Sequence, residues 1–248
     1  MANNDIVIDW GTVRSDLPSV SAEGTYAPVR VSNRGELFSR PLTGSKLTNL
    51  AGEGSYFVAT NATLGTALSG TAAPTAFSAT VALLALFNSA ATTGKSIHVD
   101  YLRLYPKAAG TNGTNFSYAM SVDRTNRYSS GGTAITPVNA NINSDVVSAA
   151  TIYAGAITAA AAGASVRRFS HGQLRSVIKV IGDVYEFRFG DSSGSSQGMP
   201  LEGTLQANIV TRCAPLVIPP GCSWLFHELA ASQSVAATFE LELGYWER

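Results

Sequence analysis

The sequence predicts an all-β fold: a jelly-roll-like antiparallel β-sandwich preceded by an extended N-terminal arm. Three observations carry this prediction. Segments with apolar or aromatic residues at alternate positions recur along the chain. Clusters of Gly, Pro, Asn and Ser separate them. Small residues are in surplus, with 49 Ser plus Thr, 35 Ala and 23 Gly among 248 residues, a composition suited to short strands and tight turns.

Residues 1–50 form the expected arm. Short extended pieces, Asp5–Trp10 and Pro28–Val31, are separated by Gly, Pro and Asn, and no apolar run is long enough to build a core. Such a segment packs on its own domain or lies across a neighbouring subunit by strand addition, and the sequence leaves both open. Residues 51–248 form the expected sandwich. Ala79–Asn88 (ATVALLALFN) and the Ala-rich 146–164 stretch have helical propensity. The second lacks any charge between Asp145 and Arg167, and its interspersed Thr, Ile, Tyr and Gly suggest a strand followed by a flexible loop; a strand is expected in both.

Ile97–Tyr105 reads as a strand ending at Pro106, with Val99, Tyr101 and Tyr105 on one face and Leu102 and Leu104 on the other. Ser176–Ile181 and Val184–Phe189 flank Gly182-Asp183 as an expected hairpin, with Tyr185, Phe187 and Phe189 opposite Glu186 and Arg188. Leu216–Ile218 and Ser223–His227 bracket a Pro219-Pro220-Gly221 turn. At the carboxyl end, Phe239, Leu241, Leu243 and Tyr245 alternate with Glu240, Glu242 and Trp246. No repeat of fixed period is present, which argues against a solenoid or propeller.

Composition excludes several function classes. With 45% apolar residues and 17 basic against 17 acidic side chains, the chain is neither disordered nor strongly charged. No Lys/Arg cluster supplies the electrostatic footprint of a nucleic-acid-binding module. The opening MANNDIVIDW lacks the basic start of a secretory signal, and the longest apolar run, Val81–Phe87, is far short of the ~20 residues of a membrane-spanning helix. On that reading, Cys213 and Cys222 are expected to be free core thiols, and the sequons at Asn61, Asn112 and Asn115 carry no glycan.

Catalytic patterns are thin. Gly190-Asp191-Ser192-Ser193-Gly194 matches the spacing of a nucleophile elbow, but Ser195–Pro200 cannot open the helix such an elbow requires, so a loop is expected. His98, His171 and His227 have no metal-ligand spacing and are read as structural or surface residues. Glu240 and Glu242, two apart on an outward face, read as solvated gatekeepers rather than a glycosidase pair. No catalytic residue, metal site or cofactor is assigned. Arg124, Arg127 and Tyr128 lie in a turn-rich stretch, Asp123–Gly132, where Arg and Tyr suit a contact surface or pair within their own sheet. With Trp10, Arg30, Arg34 and Arg40 of the arm, they are the candidate interface residues.

Three stretches taken together carry a resemblance. They are Lys95–Leu104 with Leu86-Phe87-Asn88 before it, Asp123–Gly132 running into Thr133–Asn139, and Leu216–Gly221 with the terminal Phe239–Arg248. As a set they resemble structural proteins of tailed-bacteriophage virions, of the jelly-roll capsid decoration or cement type, over residues 54–248. The resemblance implies a non-enzymatic protein on the capsid surface, made in the host cytoplasm, that bridges neighbouring capsomers. Its implied partners are the major capsid protein and further copies of itself, as a homotrimer rather than a homodimer, with neither nucleic acid nor membrane. The alternative is a receptor- or glycan-binding sandwich module on a tail fibre or baseplate.

Overall fold

A computed structural model describes residues 46–248, apart from 62, 72, 109, 111–113, 162, 164–165, 176–180 and 191–207. The arm with Trp10, Arg30, Arg34 and Arg40, the first arm of the expected hairpin over 176–180, Ser192 of the elbow-like motif and the Asn112 sequon lie outside the described residues.

The chain divides between Ser45 and Lys46, and Lys46–Arg248 forms a compact unit of its own. It opens with α1 (Lys46–Gly52), which lies across the boundary expected at residue 50. Leu50 is buried, and its carbonyl accepts the Ser55 N–H and hydroxyl, tying the helix to the strand that follows.

The strands follow as β1 (Tyr56–Thr60), β2 (Leu68–Ser69), β3 (Val81–Asn88), β4 (Ile97–Ala108), β5 (Thr114–Asp123), β6 (Tyr128–Ile135) and β7 (Val138–Asn139). They continue with β8 (Ala150–Ala159), β9 (Arg167–Arg175), β10 (Val184–Phe189), β11 (Asn208–Cys213), β12 (Leu216–Ile218), β13 (Ser223–Ala231) and β14 (Thr238–Glu247). Both helix-or-strand ambiguities resolve as strands, in β3 and β8.

Two sheets form the sandwich. One has the order β11-β10-β4-β14-β1-β7, with β12 on β4 and β2 on β14; the other runs β6-β8-β3-β13-β5-β9. Within them β1-β14-β4-β10 and β3-β13-β5-β9 are antiparallel throughout, with the first strand beside the last. These two four-stranded layers have the strand order of a jelly roll. β6 and β8 widen the second layer, while β11 joins the first in parallel to β10.

Alternation puts one face of each strand inside. Phe239, Leu241, Leu243 and Tyr245 are all buried, as their spacing predicts. Aromatic rings join the layers: Phe187 of β10 packs edge-on against Tyr118 of β5 and Phe226 of β13, and Phe189 against Trp224. Such pairs add to the burial of their own area. The Pro219-Pro220-Gly221 turn does not close a hairpin. Gly221 takes a φ of 77°, and Cys222 N–H donates to Pro219 O, so a type II turn carries the chain from β12 in one sheet to β13 in the other. Buried Asn88 holds this crossing, donating to the Ile218 and Lys95 carbonyls.

Three expectations need correction. β10 lies between β4 and β11, so both of its edges are taken by strands other than the expected hairpin arm, most of which lies outside the described residues. β4 does not stop at Pro106. It runs to Ala108, with Pro106 buried opposite Phe239 next to a register shift, where a missing N–H is tolerated. Val99 does not share a face with Tyr101. Tyr245 pairs with Val99 and Gly244 with Tyr101, so Asp100 is an extra residue in a β-bulge. The bulge resets the alternation and puts Val99 in the core with Leu102 and Leu104, leaving Tyr101 and Tyr105 outside.

Candidate functional site

The strongest contact surface among the described residues is the loop after β6 that runs through β7 to residue 149. It displays Val138, Ile142, Val146 and Val147 at 67%, 96%, 41% and 87% exposure. Its frame is fixed by alternating asparagines. Asn139 Oδ1 accepts the Asn141 N–H and Asn141 Oδ1 accepts the Asn143 N–H, a pair of Asx turns. The same side chains donate into the body of the domain, Asn139 to Gly54 O at 2.8 Å and Asn141 to Gly52 O at 3.0 Å. Ala140 N–H donates to Tyr56 O, and at the far end the buried Glu247 carboxylate accepts from Ala149 N–H and Ser148 Oγ. Gly54, with a φ of 72°, is required here, because a Cβ would come within 2.3 Å of Ser144 Oγ. The loop is thus a rigid mount for exposed aliphatic side chains. The regular Asn139, Asn141, Asn143 spacing beside Ile142, Val146 and Val147 is a readable signal that the sequence reasoning did not use.

The three candidate contact residues of the 123–132 turn separate. Arg124 is exposed. Arg127 is withdrawn from the surface, at 2% exposure. Its guanidinium donates to Ala160 O from Nε and Nη2 and to Ala79 O from Nη2, and Nη1 lies 3.5 Å from Asp123 Oδ2. Carbonyls at segment ends need donors, and a long forked side chain reaches several at once. Arg127 therefore clamps the turn instead of reaching a partner. Tyr128 is half-buried, stacked on Tyr153 at 3.7 Å with its hydroxyl on Gly131 O.

The geometry nearest to a nucleophile and its base is Ser121–His227. The Val81 carbonyl can only accept, so His227 Nδ1 carries the hydrogen and Nε2 accepts from Ser121 Oγ at 2.8 Å. Both residues are 1% exposed, and Phe77 packs edge-on against the imidazole. A hydroxyl so enclosed meets no substrate, and this pair is read as a satisfied core contact. Burial holds the His227 pKa below the ordinary histidine value. Cys213 and Cys222 are both free, and burial pushes the Cys213 thiol up to about 11, away from thiolate chemistry. Among the described residues no group of His, Cys, Asp and Glu has the arrangement to hold a metal ion, and no helix is long and apolar enough to cross a membrane.

Titratable side chains gather instead on the outer face of the first sheet. Glu186 of β10, Arg103 of β4 and Glu242 of β14 stand on one rung. Arg103 bridges the two acids at 3.2 and 3.1 Å, Arg188 Nε adds 2.8 Å to Glu186, and the Tyr101 hydroxyl donates to Glu242 at 2.5 Å. Asp100, aimed outward by the bulge, accepts the Tyr56 hydroxyl at 2.8 Å. Glu240 pairs with Lys107 at 3.0 Å and accepts the Gly65 N–H, so both strand glutamates are engaged rather than merely solvated.

Fold and sites together define a jelly-roll sandwich with one rigid apolar loop and one outward polar face. No protein-family model matches the chain, nor does any curated protein or solved structure.

Proposed function

We propose that the protein is a non-enzymatic structural component of a phage virion, a decoration or cement protein that binds the major capsid protein and bridges neighbouring capsomers. The observation that carries this reading is the 138–147 loop, whose aliphatic side chains stand in solvent on a hydrogen-bonded frame. Holding apolar groups exposed on fixed backbone suits burial against a partner, since the loop loses little entropy on contact. A jelly roll with its core closed between two layers is a stable mount for such a loop. Near-zero net charge limits repulsion between many copies on one shell. Self-association as a trimer, and a contribution from the arm, belong to the same proposal.

The test is co-sedimentation with capsids that lack the protein. Wild type is expected to pellet with the shells. Ile142→Asp/Val147→Asp, altering two side chains that bear little on folding, is expected to stay in the supernatant while melting at the wild-type temperature. Full pelleting of that variant would sink the role assigned to the loop. Antibody label confined to the tail tip of virions would sink the capsid location.

A further inference from the structure

The outer face of the first sheet holds an open cleft of about 400 Å³, within the ~300–1,000 Å³ range of small-ligand pockets. Tyr56, Asp100, Tyr101, Arg103, Glu186 and Arg188 supply its polar lining, and Leu47 adds an exposed apolar side chain. Two backbone features make the hollow. Gly244 lies beneath it: a Cβ there would come within 2.3 Å of Tyr101 Cε1 and 2.6 Å of the Tyr56 hydroxyl, so both tyrosines lean into space that any other residue would fill. The bulge turns Asp100 out of the alternation and into the cleft beside them.

The charges of this face are almost wholly engaged with one another. Glu186 takes Arg103 and Arg188, and Glu242 takes Arg103 and Tyr101. Asp100 differs, because its hydrogen-bonding partner is the Tyr56 hydroxyl through Oδ2, and among the described residues Oδ1 has none. Arg188 is anchored through Nε, which leaves its two terminal nitrogens able to donate. The cleft thus offers a fixed acceptor and fixed donors on side chains already immobilised by other bonds, the condition for selective polar recognition. Two carboxylates of the lining, Asp100 and Glu186, face two guanidiniums, Arg103 and Arg188, so the cleft carries no net charge to draw an anion. The same guanidiniums beside Asp100 disfavour a free cation. A neutral molecule with adjacent hydroxyl groups and apolar C–H faces fits both the polar pattern and the exposed Leu47 side chain.

We propose that this cleft is a binding site for a neutral saccharide, with Asp100 accepting from and Arg188 donating to hydroxyl groups of one sugar ring. The site is separate from the apolar loop and does not depend on the capsid reading. Burial raises the Asp100 pKa above the usual carboxylate value, as expected of an acid lacking its full set of donors.

A printed array of neutral and acidic glycans, probed with the full-length protein, is expected to retain it on neutral glycans. Affinity for a retained glycan, measured by isothermal titration, should fall about tenfold or more in Asp100→Asn and in Arg188→Met. Asn at position 100 still accepts from Tyr56, so that variant should melt with wild type and separate ligand loss from misfolding. Retention on acidic glycans alone, no retention at all, or wild-type affinity in both variants would overturn the proposal.

Discussion

Gly244→Ala tests the packing of the outer face most directly. The backbone at Gly244 is outside the positive-φ region, so alanine is locally allowed, and on chain entropy alone the change would stabilise by ~0.4–1 kcal/mol. Packing opposes this. The new methyl would sit 2.3 and 2.8 Å from Tyr101 Cε1 and Cδ1 and 2.6 Å from the Tyr56 hydroxyl. Relief requires Tyr101 to swing off β14, which costs ~1–3 kcal/mol in strain and displaced packing. The move also breaks the Tyr101–Glu242 hydrogen bond, worth ~1.5–3 kcal/mol because its acceptor is charged. Strain and bond loss win over entropy, for a net destabilisation of about 2–4 kcal/mol. At ~2–4 °C per kcal/mol for a domain of this size, the melting midpoint should drop by roughly 5–15 °C in differential scanning fluorimetry. Tyr101→Ala removes two of the three close contacts and leaves the one to the Tyr56 hydroxyl, so adding Gly244→Ala to it should cost clearly less than Gly244→Ala does alone. An unchanged or raised midpoint in Gly244→Ala, or full additivity in the double variant, would refute the reasoning.

Two further outcomes follow from buried groups. At pH 8 a thiol reagent should label Cys222 well before Cys213, whose thiol is buried with its pKa near 11, and denaturant should release both; protection of both against reagent after unfolding would contradict their being free. His227 is held neutral by burial, with its folded pKa below the ~6.5 of the unfolded chain, so the unfolded state takes up the proton first. Its contribution is therefore complete above about pH 6.5 and is lost as pH falls from there through the folded value, and His98, also shifted down by burial, adds the same sign. Urea midpoints between pH 7.5 and 5 should decline in wild type and less steeply in His227→Gln; equal slopes would count against it.

How much of this was legible in the sequence differs between fold and site. The period-two pattern of Phe239–Tyr245 and the paired faces of Val184–Phe189 identified inward residues correctly, because alternation within one strand depends only on that strand. The neighbours of Val184–Phe189 were misread because its actual partners, β4 and β11, are separated from it in sequence and no local turn announces them. Arg127 was misplaced for a related reason. A turn-rich neighbourhood suggests solvent, while the carbonyls of Ala79 and Ala160 that draw the side chain inward are distant in sequence.

The outer cleft lies at the far end of this scale. A bulge is a relation between two strands, so nothing in Ile97–Tyr105 alone reveals that Asp100 is unpaired; the evidence is its register against Gly244 and Tyr245. Those two residues carry complementary halves of the arrangement. Tyr245 keeps Val99 inside by pairing with it, and Gly244, by having no side chain, lets Tyr101 and Tyr56 fold over its strand. Alternation alone would have Asp100 and Tyr101 on opposite faces, but the extra residue brings both to the outside, next to Arg103 and Glu242. The chemistry of this face therefore depends on an irregularity, and restoring regular pairing by deleting one residue at position 100 should keep the core pattern of Val99, Leu102 and Leu104 while removing the cleft's open carboxylate.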